Sequence, residues 1–410
     1  MERNSGDSMC GFLSSFTSAG GQETISSDMV AGPVTLPVYV NEFWTSRQRQ
    51  ASSIHEVSYR ACFKPQLPRF FIDLLTKKGD VVFDPFSGRG TTVIEAGLAG
   101  RNVIANDASP LSRIITEPRF FPPDPEEVKK RLDSIPLKGE TAGIDLSMFY
   151  HPDTEKEIVA LQQYLNGRKS LRRDDMIDRW IAMVATNRLT GHSSGFFSVY
   201  TLPPNQAVSP QSQQRINSKR GQLPEYRDTR RIIMAKTKSL LRTLTPEEQK
   251  LLNQAGKKAR LFTGDARETP GISDSTVRLT VTSPPFLDIV QYRDDNWLRC
   301  WFNELDSGAI GKEITMSRTI GDWIGVMGPV FRELFRITQP GGYVAFEVGE
   351  IRKKTIHLEE HIVPLGIAAG FTGICVLINQ QVFTKTSNIW GVGNMVSGTN
   401  TNRIVVFKKL

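Results

Sequence analysis

Two short runs hold the residues whose types and order can do chemistry. The first is Asp84-Pro85-Phe86-Ser87-Gly88-Arg89-Gly90-Thr91-Thr92, which leaves the apolar strand Val81-Val82-Phe83 and opens a helix near Thr91. A strand, a glycine turn and a helix in that order form a binding crevice at the carboxyl edge of a parallel sheet. Gly88 and Gly90 let the backbone turn tightly and approach a ligand, where a Cβ would obstruct it. The second run is Thr282-Ser283-Pro284-Pro285-Phe286, at the end of the β-branched strand Leu279-Thr280-Val281-Thr282. Its two prolines cannot continue a ladder, so they hold the Ser283 side chain and nearby carbonyls in a fixed, exposed pose. Asp107 ends a second strand 17 positions after Gly90, near the offset at which an acid reaches a ribose diol.

Together these runs resemble the cofactor and catalytic motifs of the S-adenosylmethionine-dependent amino-methyltransferases that act on nucleic-acid bases. The likeness is greatest to the N4-cytosine members of restriction–modification systems, and it covers roughly residues 59–115 and 260–410. It implies that Asp84, Pro85, Phe86, Gly88, Gly90, Thr91 and Thr92 surround the methionine part of S-adenosylmethionine. It assigns the ribose to Asp107 and the adenine amino group to Asp265, with Ala266 beside it. Catalysis then falls to Ser283, Pro284, Pro285 and Phe286. An exocyclic amine conjugated to a ring is a poor nucleophile, because its lone pair is delocalised. Acceptors on its two protons, here Ser283 Oγ and the Pro284 carbonyl, draw the nitrogen toward tetrahedral geometry and free the lone pair. Phe286 can stack on a base turned out of the duplex. Adenine-specific relatives generally carry Asp or Asn where Ser283 stands, so the serine favours cytosine. Trp297 and Trp301, four apart on a predicted helix, either flank the cofactor adenine or pack in the core. Cys300 lacks a preceding proline and reads as a core cysteine, not as the thiolate of a C5 mechanism. In many N4-cytosine enzymes the motif order is the opposite of the one here, which weakens any transfer of sequence specificity.

The formal charge is +8 and the pI about 9.3, which favours a polyanionic partner. The excess is local. Residues 118–260 hold 25 Lys+Arg against 16 Asp+Glu, leaving the remainder of the chain near neutral. Double-stranded DNA is the expected partner, and the candidate contacts are Arg215, Lys219 and Arg220 in an irregular stretch and Arg230 and Arg231 on a basic helix. A cognate restriction endonuclease is a functional partner that the resemblance implies. The four cysteines form no Cys-x-x-Cys pair and the five histidines no cluster, so no metal is expected. No apolar run reaches a membrane-spanning length, no signal-peptide pattern opens the chain, and a cytoplasmic setting is expected. An N6-adenine enzyme, an RNA base methyltransferase and a non-enzymatic nucleic-acid-binding module are the alternatives.

The elements that must position these residues follow from periodicity and punctuation. Residues 1–35 read as a flexible Ser/Gly-rich arm, 36–117 as the first part of a core carrying the cofactor loop, 118–258 as an insertion for target recognition, and 259–410 as the second part of the core. Within the insertion, 191–224 reads as loop and 226–244 as a basic helix. The fold expected is α/β, a Rossmann-like methyltransferase core with a mostly parallel seven-stranded sheet and a helical basic insertion. A side chain placed at Gly90 is expected to abolish cofactor binding with the fold intact.

Overall fold

The computed structural model describes residues 5–45, 51–59, 62–137, 139–201, 207–285, 292–314, 317, 319–351, 356–380 and 401–410. In chain order its strands are β1 (Ile25–Ala31), β2 (Val34–Asn41), β3 (Val81–Asp84), β4 (Asn102–Asp107), β5 (Arg260–Thr263), β6 (Val277–Thr282), β7 (Thr338–Val348), β8 (Glu350–Ile351), β9 (Ile356–His357), β10 (Thr372–Gln380) and β11 (Thr401–Lys408). Nine of them form one sheet in the order β1-β2-β10-β11-β7-β6-β3-β4-β5, while β8 and β9 pair separately. From β5 to β7 every neighbouring pair is parallel. β11 lies antiparallel between β7 and β10.

The seven strands expected from the sequence are all present, but the sheet has nine. The two others are the antiparallel hairpin β1–β2, whose second strand pairs in parallel with β10. Part of the expected flexible arm is therefore ordered. Ser5–Ser14 is a helix that buries Met9 and Leu13, and β1 follows it. The hairpin turn uses Gly32 at φ 60°. Its signal was weak because β1 is mostly exposed, so it lacks an apolar alternation.

Side-chain alternation gives the sheet two apolar faces. β7 sends Tyr343 and Ala345 to one face and Val344 and Phe346 to the other, and β3 does the same with Val82 and Phe83. Helices Gln66–Leu75, Thr91–Leu98 and Pro246–Lys258 pack on the first face, and Ile320–Ile337 and Leu358–Ala368 on the second. The insertion does not have a core of its own. Its Phe149, Trp180, Met183, Val184 and Leu240 belong to the same buried cluster as Val82 and Val103 of the sheet. The expected loop over 191–224 contains a helix, Pro210–Arg220, capped by Ser209 and ended by Gly221 at φ 57°. It buries only Gln213 fully, so no hydrophobic period marked it in the sequence.

Gly256 shows how closely the layers approach. A Cβ there would lie 2.7 Å from Phe120 Cβ and from Phe121 Cζ. Gly167, in the exposed part of helix Pro152–Ser170, has nothing within 4 Å. Gly256→Val is expected to lower the unfolding free energy in denaturant titrations by about 1–3 kcal/mol through overpacking. Gly167→Ala is expected to raise it by roughly 0.5–1 kcal/mol through lost backbone freedom in the unfolded chain. The opposite signs are the test of this packing.

Candidate active site

The chain leaves β3 for β4 and β5 on one side and returns with β6 on the other, so the strand order reverses between β3 and β6. Such a reversal opens a crevice at the carboxyl ends of the strands. Asp84 ends β3, and Ser283 follows directly on β6. Thr282 Oγ1 donates to Asp84 Oδ1 at 2.6 Å, and Thr92 Oγ1 donates to the Val281 carbonyl at 3.1 Å. The two motifs, far apart in sequence, are joined by buried hydrogen bonds. Phe86 N also donates to Asp84 Oδ1, at 3.2 Å. Asp84 is only 1% exposed, and burial pushes its carboxyl up to about 7 against the pull of the hydrogen bonds from Thr282 and Phe86.

The glycine loop is held from the neighbouring strand. Gly88 N donates to Asp107 Oδ2 at 2.7 Å and Ser109 N to Asp107 Oδ1 at 2.8 Å. Gly264 N donates to the Asp107 carbonyl at 3.0 Å, and Asn106 Nδ2 to the Gly264 carbonyl at 2.9 Å. Asp107 thus ties together the loops after β3, β4 and β5, and each of its carboxyl oxygens keeps a second lone pair. Burial raises this carboxyl as well, to about 6. Arg89, between the glycines, was not singled out in the sequence. It is buried and donates to the carbonyls of Val57 at 3.1 Å and Phe63 at 3.2 Å, fastening the lead-in segment to the loop. Gly90 corrects one expectation. A Cβ on it would lie 2.4 Å from Thr116 Oγ1, so any side chain there strikes the helix Pro110–Thr116 and disturbs packing as well as the crevice. Gly88 has more room, with Tyr59 and Cys62 side-chain atoms at 3.6 Å.

At the second motif, Pro284 is buried and the Pro285 carbonyl accepts from Trp323 Nε1 at 3.0 Å. Phe286 lies outside the described residues. Ser283 hydrogen-bonds to Glu347, near the end of β7, and Asn402 Nδ2 donates to Glu347 Oε1. Burial pushes the Glu347 carboxyl up to about 7, outweighing the pull of both partners. The sequence did carry a sign of it, an acid inside the apolar run Tyr343-Val344-Ala345-Phe346-Glu347-Val348. Trp297 donates to the Val208 carbonyl at 3.3 Å, and its ring packs 5.9 Å from that of Phe149, so it joins the insertion to the core. Cys300 is buried and its thiol is raised to about 11.

The remaining candidates are dispersed. Asp265 is exposed and held below the usual carboxylate range by hydrogen bonds from Arg267, whose Nε lies 2.7 Å from Oδ2; Ala266 next to it is buried. Arg215, Lys219 and Arg220 are exposed on helix Pro210–Arg220, with Arg220 stacked 3.9 Å over the Tyr200 ring. Arg231 is exposed on helix Thr229–Leu241. Arg230 is different: its guanidinium donates to the carbonyls of Leu132 at 3.0 Å and Ile135 at 2.6 Å, an internal brace and not an open grip. Among the described residues no group of His, Cys, Asp or Glu could hold a metal ion, and no helix is long and apolar enough to cross a membrane.

Residues 24–152 match the family model for N6/N4 methyltransferases, described as DNA methylase. Type II methyltransferase M.MjaII of Methanocaldococcus jannaschii is 33% identical over 21% of this chain and 17% of its own length. Type II methyltransferase M.BsoBI of Geobacillus stearothermophilus is 26% identical over 58% of this chain and 50% of its own. A tRNA (guanine(10)-N2)-dimethyltransferase of Methanocaldococcus jannaschii is 38% identical over 15% of this chain and 17% of its own. The chain spans half or less of the length of these relatives. By motif, by family model and by these relatives the chain resembles the DNA amino-methyltransferase family, whose N4-cytosine and N6-adenine branches the matches do not separate.

Proposed function

We propose that this chain transfers the methyl group of S-adenosylmethionine to an exocyclic amino group in double-stranded DNA, and that the group is N4 of cytosine. The observation that supports the reading is the buried 2.6 Å hydrogen bond from Thr282 Oγ1, the residue before Ser283, to Asp84 Oδ1, which joins the strand ends of the two motifs. The crevice suits the cofactor. Asp84 and Asp107 end adjacent strands, and no ion pair engages either carboxyl among the described residues. A ligand carrying an ammonium group and a ribose diol satisfies both. Bound there, S-adenosylmethionine supplies an electrophilic methyl on its sulfonium. Asp84 holds the amino group of the methionine part, Asp107 the ribose, and the Gly88 turn allows the backbone to come close.

Ser283 acts on the target amine. Ionised Glu347 accepts the Ser283 hydroxyl proton, which leaves the Oγ lone pairs facing the amine as acceptors. Neutral Glu347 can donate to the same oxygen and occupy one of those lone pairs. The Pro284 carbonyl accepts a hydrogen bond from the second amine N–H, and once the methyl has moved from sulfur to nitrogen the surplus amine proton leaves to solvent. Ser283 in place of an acid favours cytosine over adenine. A restriction endonuclease of the same specificity is the functional partner in this reading.

Three outcomes are expected. Incubation of the chain with labelled S-adenosylmethionine and duplex DNA, followed by mass spectrometry of nucleosides, should give N4-methylcytosine. N6-methyladenine alone would sink the cytosine assignment, and label in RNA alone would sink DNA. Cofactor affinity measured by calorimetry should fall about tenfold per pH unit below about 7, because the ligand then has to deprotonate Asp84. Asp84→Asn should bind weakly and lose that dependence. Single-turnover transfer at saturating cofactor should rise as pH passes through about 7 and Glu347 ionises. Glu347→Gln should be slower and lack that limb, and an unchanged profile would remove Glu347 from the mechanism.

A further inference from the structure

Helix Pro210–Arg220 has a composition that packing does not account for. Its sequence, Pro-Gln-Ser-Gln-Gln-Arg-Ile-Asn-Ser-Lys-Arg, holds no acid and, after the leading proline, one apolar side chain, Ile216. It docks through amides and not through an apolar stripe. Gln213 Nε2 donates to the Tyr200 carbonyl at 3.0 Å, and Asn217 Nδ2 to the Met148 carbonyl at 2.8 Å. The opposite face carries Gln211, Gln214, Arg215, Ser218 and Lys219, all exposed. Their spacing of i, i+3, i+4, i+7 and i+8 puts them on one side of the helix.

That face is chemically suited to one class of partner. An ordinary solvated helix mixes charges of both signs, whereas the charged residues of this one, Arg215, Lys219 and Arg220, are all cations. Glutamine pairs bidentately with adenine N6 and N7, arginine with guanine O6 and N7, and the major groove of a duplex is wide enough for a single α-helix. Lysine supplies the phosphate contact that fixes register.

The placement also fits. Ala207 N donates to the Asp295 carbonyl at 3.0 Å, and Trp297 Nε1 to the Val208 carbonyl at 3.3 Å, just ahead of the helix. Both partners lie on helix Tyr292–Phe302, which begins nine residues after Ser283. The other end of that helix is held by Gln162, which donates to the Trp301 carbonyl at 2.7 Å, and by Asn166, which donates to the Phe302 carbonyl at 3.1 Å. The polar helix is therefore fixed relative to the element that follows the catalytic turn.

Resting on the DNA reading above, we infer that helix Pro210–Arg220 is the base-reading element. It enters the major groove of the duplex, where Gln211, Gln214, Arg215 and Ser218 meet base edges and Lys219 meets phosphate. The test is to produce the full chain in a host free of other methyltransferases and to map methylated bases across the genome by sequencing. Wild type should methylate a defined motif. Gln214→Ala and Arg215→Ala should each relax that motif at one position, with about 10- to 100-fold less discrimination there, while the methylated base stays the same. Lys250→Ala, on the exposed side of another helix, should leave the motif unaltered. Matching unfolding midpoints and cofactor affinities across the variants distinguish lost reading from misfolding. A motif unchanged in Gln211→Ala, Gln214→Ala and Arg215→Ala alike overturns the inference and leaves the methylation reading standing. An unmethylated genome with wild type overturns that underlying reading instead.

Discussion

The hydrogen bond from Thr282 Oγ1 to Asp84 Oδ1 spans 198 positions of sequence, and the geometry of the crevice depends on it. Both side chains are buried, so breaking it would leave a polar group unsatisfied away from water, at a cost of about 1–3 kcal/mol. The bond from Thr92 to the Val281 carbonyl reinforces it from the helix that follows the glycine loop. Between these anchors the chain runs through the whole insertion. Its length is immaterial to the spacing of the two motifs, because that spacing is set by strand pairing and by these contacts. Asp107 does the same for the third loop, reaching Gly88 on one side and Gly264 on the other.

This arrangement has a thermodynamic signature. Asp84, Asp107 and Glu347 all have carboxyls raised by burial, to about 7, 6 and 7. Groups whose folded pKa lies above the unfolded value favour the fold fully only below the unfolded pKa. That contribution is lost as pH rises through the folded values, so ionisation of these acids destabilises the free chain between roughly pH 4 and 7. A bound ligand that donates hydrogen bonds or positive charge to the ionised carboxylates opposes this loss. The crevice therefore stores part of its affinity as an unfavourable electrostatic state of the free protein.

The sequence made the strand-end chemistry legible because it combines strand, turn and helix signals within a few residues. Asp84, Asp107 and Ser283 could be placed at strand ends and Gly88 in the turn after β3 from that pattern alone, and seven of the nine sheet strands carried an apolar signature. The rest was hidden for physical reasons. The hairpin β1–β2 has one exposed strand in a Ser/Gly-rich segment, so composition pointed to disorder. Helix Pro210–Arg220 is held by amide hydrogen bonds, which leave no period to detect. Arg230 was expected to contact nucleic acid and Arg89 carried no expectation, yet both spend their donors on buried or partly buried carbonyls. Gly90 was understood as making room for a ligand, and the neighbour it spares is Thr116. Such roles depend on contacts between distant segments, which local pattern does not encode.

The buried cluster that runs without a break from the sheet into the helices of the insertion also bears on how such a protein can diversify. A region with its own interior can be exchanged between relatives as a cassette, carrying a new preference with it. Here an exchange would remove Phe149 and Trp180 from the cluster that also buries Val82 and Val103, and so expose that face of the sheet. Under the reading proposed above, new preferences are instead accessible one surface residue at a time, on exposed positions such as Gln214 and Arg215. The architecture trades wholesale shuffling for gradual drift.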